Sequence, residues 1–109
     1  MEQNITLPPE LKALMSEHRR YLHAHPELSF QEEQTAAYIK KHLDRYGIPY
    51  TQLEGYHSVI GRLKGGLPGK TVAIRADIDA LPIQEKSETA YRSATPNVMH
   101  ACGHDAHTA

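Results

Sequence analysis

The sequence predicts an α/β fold in which two helices precede a mixed β-sheet with a buried central strand. Three observations carry that expectation. Apolar residues recur at helical spacing from Glu10 to Leu22. Ser29 and Glu32 stand at capping-box spacing ahead of a second helical pattern. Thr71 to Asp77 is apolar enough to be a strand covered on both faces.

The elements follow in order. Residues 1–6 read as a loose arm. Pro8 and Pro9 suit the first turn of a helix, where a missing N–H costs little. Leu11, Leu14, Met15, His18, Tyr21 and Leu22 then form one face, with Arg19 and Arg20 outside it. His25-Pro26 ends the helix, because proline drives its predecessor out of the α region. The second helix is to start at Ser29-Phe30-Gln31-Glu32 and line one face with Ala36, Ile39, Leu43 and Tyr46. Gly47 stops it and Pro49 prevents continuation. Short strands are expected over 48–53 and 58–63. Gly65-Gly66-Leu67-Pro68-Gly69 is a turn by composition and is expected to join a hairpin. Beyond Pro82 the chain reads as a polar, irregular excursion. Ala106 to Ala109 reads as the beginning of a helix with no stop signal, which predicts a truncated chain.

Composition bounds the function. With 109 residues the chain is one small domain at most. A net charge of −1 gives no basic footprint for a nucleic acid or an anionic membrane. No apolar run approaches membrane-spanning length, and the N-terminus has no signal-peptide pattern. The single cysteine excludes an internal disulfide and fits a reducing cytoplasm.

Two stretches carry candidate chemistry. Asp77 and Asp79 lie at the end of the expected strand, two apart, so both carboxylates can address one site. The plain alternative is that they cap a turn before Leu81-Pro82. Met99-His100-Ala101-Cys102-Gly103-His104-Asp105-Ala106-His107 places the only thiol two residues before an imidazole. Three readings compete for Cys102: an inert buried thiol, a nucleophile activated by His100 or His104, or a metal ligand beside His104. His23 and His25 need no role beyond the dipole at a helix C-terminus.

The run from Arg19 through His23-Ala24-His25-Pro26-Glu27 to Glu32, the block Arg75-Ala76-Asp77-Ile78-Asp79-Ala80-Leu81-Pro82-Ile83 and the Met99–His107 segment together resemble three motifs of one family. It is the amidohydrolase branch of the metal-dependent aminoacylases and carboxypeptidases, which includes hippurate hydrolases, N-acetyldiaminopimelate deacetylases and auxin-conjugate hydrolases. The resemblance implies hydrolysis of the amide bond of an N-acyl amino acid with two divalent cations, of zinc, manganese, cobalt or nickel. It implies metal-ligand roles for Cys102 and His104 and a supporting role for Asp79. Asp77 stands where the wider family has a ligand histidine. His100, Asp105 and His107 would hydrogen-bond around the site.

The family's general base belongs to an adjacent glutamate pair further along the chain. Glu32-Glu33 is the only such pair here and precedes the metal motif. The resemblance therefore implies that residues 1–109 are the incomplete N-terminal portion of a catalytic domain, inactive alone. The remaining ligands and the dimerisation or lid domain would lie beyond Ala109, and the parent protein would be a homodimer. The readings from other classes are a non-enzymatic metal-binding or thiol-sensing module and a thiol hydrolase using Cys102.

Overall fold

Helix α1 spans Pro9–Ala24 and helix α2 spans Glu33–Arg45 in a computed structural model that describes residues 5–109. Residues 1–4 of the expected arm lie outside the described residues. The first helix starts at the proline pair and closes at His25, whose N–H donates to the Tyr21 and Leu22 carbonyls. Of its expected apolar face only Leu22 is fully covered; Leu11, Met15 and Tyr21 stay about 40% exposed.

The second helix corrects the expected capping box. Ser29 is exposed and caps nothing, and the Glu32 carboxylate accepts the N–H of Phe30 at 2.9 Å. Glu27 performs the capping instead. Its Oε1 accepts the N–H and the hydroxyl of Thr35 at 2.5 and 2.6 Å, and its Oε2 accepts the N–H of Gln34 at 3.1 Å. The physical reason is a tight turn at Leu28–Gln31. There Phe30 takes a φ of 65°, which moves the helix start past Ser29. The C-terminus ends as the sequence predicts. Gly47, at φ 67°, donates to the Asp44 carbonyl while Ile48 donates to Leu43, a Schellman closure.

Strands β1 (Tyr50–Gln52) and β2 (Val59–Gly61) form an antiparallel pair with Thr51 opposite Ile60. Both lie inside the expected strand ranges, but they pair with each other. The hairpin expected at Gly65–Gly69 does not form, and that stretch is exposed and irregular. Thr71–Asp77 makes no ladder, with Val72 82% and Ile74 95% exposed. The buried central strand and the mixed sheet are thus corrected to a two-stranded antiparallel sheet within the same α/β class. A strand covered on both faces requires neighbours along both edges. Among the described residues no strand pairs with this stretch.

From Ala80 the chain is tied down again. Its N–H donates to the Glu27 carbonyl at 2.8 Å, and Leu81 and Met99 exchange backbone hydrogen bonds at 2.9 and 3.0 Å. These ties set the two candidate motifs side by side. Helix α3 (His104–Thr108) begins two residues before the position expected from sequence and packs on α1. Leu22, Ala36 and Ala80, with Pro26, are buried among the described apolar residues, and the radius of gyration is 15.7 Å. A closed domain of this length has about 13 Å. The fold is open, with Ile60, Leu63, Leu67, Val72 and Ile74 facing outward.

Candidate metal centre

The turn that carries the thiol–imidazole pair is built on Gly103. Its φ of 100° lies in the left-handed region, where a side chain would be strained, and it immediately precedes the first residue of α3. His104 then sits in the first turn of α3 with its ring fixed from behind. Its Nδ1 lies 2.9 Å from Asp79 Oδ1 and 3.0 Å from the Asp79 carbonyl oxygen. Both are acceptors, so Nδ1 carries the proton and Nε2 presents its lone pair outward. Asp77 Oδ2 stands 3.7 Å from Nε2, and Arg75 pairs with the other oxygen of Asp77 at 2.6 Å. Both sequence-predicted aspartates therefore address one imidazole. Thr108 ties the far end of α3 to the Asp77 carbonyl at 3.0 Å.

Cys102 is exposed, which overturns the inert buried-thiol reading. No hydrogen bond joins it to His100 or His104 among the described residues, so the thiol has no activating base in place. His100 is buried and neither ring nitrogen has a partner among the described residues. Burial pushes its pKa down, which keeps the ring neutral. Among the described residues no three His, Cys, Asp or Glu side chains converge as a metal-binding group. His104 and Cys102 are of the right chemical kind for a catalytic cation, and an imidazole held by a carboxylate is the usual arrangement of a ligand histidine. Further donors are needed to complete such a site.

Behind α3 lies a cluster that sequence reasoning missed. His23, read from sequence as a helix-end histidine, is 5% exposed. Its Nδ1 donates to Asp105 Oδ2 at 2.8 Å and its Nε2 donates to Glu85 Oε1 at 3.0 Å. Ionised carboxylates only accept, so both ring nitrogens donate and the ring is positively charged in this arrangement. Arg19 Nε adds a second cation on Asp105 Oδ2 at 3.1 Å. Two positive and two negative groups balance. The one available signal was the helical register, which places Arg19 and His23 four apart on one side of α1. His25 keeps its plain reading: it is exposed, its Nδ1 bonds the Tyr21 carbonyl and its ring stacks on that of Tyr21.

The cluster sets an acid limit. Burial acts to raise the pKa of Glu85, but hydrogen bonds from the Ser87 hydroxyl, the Ser93 N–H and His23 outweigh it and bring it down to about 2. Burial likewise acts to raise Asp105, and His23, the Ala106 N–H and Arg19 together hold it below its ordinary value. A carboxylate depressed by folding stabilises the fold above its unfolded pKa, and that contribution disappears as pH falls through the folded value. Helical circular dichroism is therefore expected to decline from pH 4.5 towards pH 2. Glu85→Gln should flatten that part of the profile, and an unchanged profile would remove Glu85 from the account.

An α/β scaffold that presents an exposed thiol and a carboxylate-backed imidazole on one turn has the ligand chemistry of a metallohydrolase. The comparisons with known proteins agree. Residues 73–109 match the model of peptidase family M20/M25/M40. The chain is 53% identical over 95 residues to a Bacillus subtilis protein named as an amidohydrolase, YhaA, covering 87% of this chain and 24% of that protein. It is 52% identical over 103 residues to the N-acyl-L-amino acid amidohydrolase of Geobacillus stearothermophilus, covering 94% of this chain and 28% of that protein. The crystal structure of Bacillus subtilis YXEP, described as a dinuclear metal binding peptidase from the M20 family, superposes with a TM-score of 0.87 at 43% identity. That match covers 94% of this chain and 29% of YXEP. Over most of its length the chain is similar to the N-terminal part of members of the M20 peptidase family. It spans about a quarter of the length of the relatives it matches.

Proposed function

We propose that residues 5–109 form the N-terminal part of the catalytic domain of a metal-dependent amidohydrolase acting on N-acyl amino acids. The observation that carries this reading is the Asp79–His104 pair beside the exposed Cys102 thiol. Asp79 fixes the His104 tautomer so that Nε2 is the donor atom. Gly103, between them, lets Cys102 and His104 approach one ion from positions two apart on the chain. Cys102 and His104 would hold a divalent cation, which would supply Lewis acidity towards the amide carbonyl and towards a water molecule. Which of zinc, manganese, cobalt or nickel serves is set by geometry and availability rather than by this donor pair.

The chain's own residues bind and orient, and the proton-shuttling base lies elsewhere. Glu32 is buried and occupied by the Phe30 N–H, so the Glu32-Glu33 pair is not that base. The substrate class rests on the name of the Geobacillus relative and on the motif resemblance. The homodimer and the cytoplasmic location belong to the same proposal and rest on the resemblance and the single reduced cysteine.

The test is a chimera in which residues 5–109 replace the matched segment of the Geobacillus stearothermophilus amidohydrolase. It should release the free amino acid from N-acetyl and N-benzoyl amino acids, and a chelator should stop it until metal is restored. The 109-residue chain alone should show no turnover. A folded chimera that is inactive with metal present would overturn the proposal.

A further inference from the structure

Helix α3 is five residues long, too short to hold its own geometry in water. Its orientation must come from side-chain anchors. Thr108 anchors its end and Asp79 anchors His104. The remaining anchor is Asp105, the residue after His104 and one of the least exposed side chains in the structure, at 2%. Its Oδ2 is gripped by His23 and Arg19 from α1, more than eighty positions earlier in the chain, and its Oδ1 accepts the Ala106 N–H. His23 is in turn held by Glu85, which the Ser93 N–H and the Ser87 hydroxyl fix in place. A buried, doubly charge-assisted contact of this kind is stronger and more directional than a neutral hydrogen bond.

We propose that Asp105, clamped by His23 and Arg19, is a positioning residue that sets the direction of His104 Nε2 and the approach of Cys102 to a shared cation. The proposal rests on the metal-ligand reading of Cys102 and His104. Asp105 itself does not ligate, since both its oxygens are already engaged inside the fold. Glu85 belongs to the same cluster but touches His23 on the side away from α3. That difference separates positioning from mere stability. Asp105→Asn and Glu85→Gln both disturb the buried charge balance, yet only the first loosens the turn that carries His104.

The experiment is a cobalt(II) titration of the chimera, followed by the near-ultraviolet thiolate-to-cobalt band, with thermal melts of each variant alongside. Wild type should show the band and Cys102→Ser should abolish it. Asp105→Asn should weaken cobalt binding about tenfold, the low end of what outer-shell partners of ligand histidines contribute. Glu85→Gln should lower the melting temperature but leave affinity within about twofold. If Asp105→Asn fails to fold, Arg19→Gln removes one of the two donors from a side chain that is 41% exposed. It should weaken binding about threefold with the helical signal retained. Unchanged affinity in the folded Asp105 or Arg19 variant overturns the positioning role, as does an equal loss in Glu85→Gln. No band in wild type, or a band that survives Cys102→Ser, removes the metal-ligand reading itself, and the positioning role with it.

Discussion

Replacing His104 with alanine in the chimera is expected to lower kcat/KM for an N-acyl amino acid by about a thousandfold or more. The magnitude follows from losing a cation's stabilisation of the developing charge, several kcal/mol, at about 1.4 kcal/mol per factor of ten. Asp79→Ala should cost less, roughly ten- to a hundredfold, because it frees the imidazole to turn or change tautomer without deleting the donor. Asp79→Asn should lie between wild type and alanine, since the side-chain carbonyl still accepts from Nδ1. The order matters more than any single value. A His104→Ala chimera within tenfold of the parent would end the ligand assignment. An Asp79→Ala loss as deep as that of His104→Ala would move Asp79 from support to direct participation.

The second large effect is on folding. Substituting His23 by alanine leaves Glu85 and Asp105 buried and negatively charged, with Arg19 the one cation among the described residues still bonded to either. Breaking a buried ion pair from one side costs about 3–5 kcal/mol, a large part of the 5–15 kcal/mol typical of a whole domain. In a chain with Leu22, Ala36 and Ala80 as its described apolar core, the thermal midpoint should fall by about 15 °C, or the transition should vanish. Glu85→Gln in the His23→Ala background should recover part of the loss, because one stranded charge is gone. Calorimetry or circular-dichroism melts check both statements. A drop under about 1 kcal/mol in His23→Ala would mean that water reaches the cluster and that the clamp contributes little.

The open side of the fold has the same origin as the corrected strand. Thr71–Asp77 reads from sequence as an apolar strand covered on both faces, yet Val72 and Ile74 face outward. Periodicity reports what a segment prefers when partners are present, and a ladder needs those partners to exist. The segment Leu28–Gln31 shows the converse. Its Ser-x-x-Glu pattern satisfies a local rule, but Glu27 reaches the Gln34 and Thr35 N–H groups first once Phe30 turns through positive φ.

The sequence by itself determined both long helices, the closure of α2 at Gly47, the two hairpin strands, and the family resemblance carried by its three motifs. It also singled out Asp79, Cys102 and His104, the last of which the fold seats against Asp79. These features are local: a helix face, a cap or a motif is written within a dozen consecutive residues. Only the tertiary structure decided that His23 is a buried cation, that Glu85 in a polar excursion is its counter-ion, and that Asp105 is the anchor of α3. Those contacts join residues 62 to 86 positions apart. A buried charge is stable only where its partner arrives from elsewhere in the chain, and nothing in the local pattern of either residue names that partner.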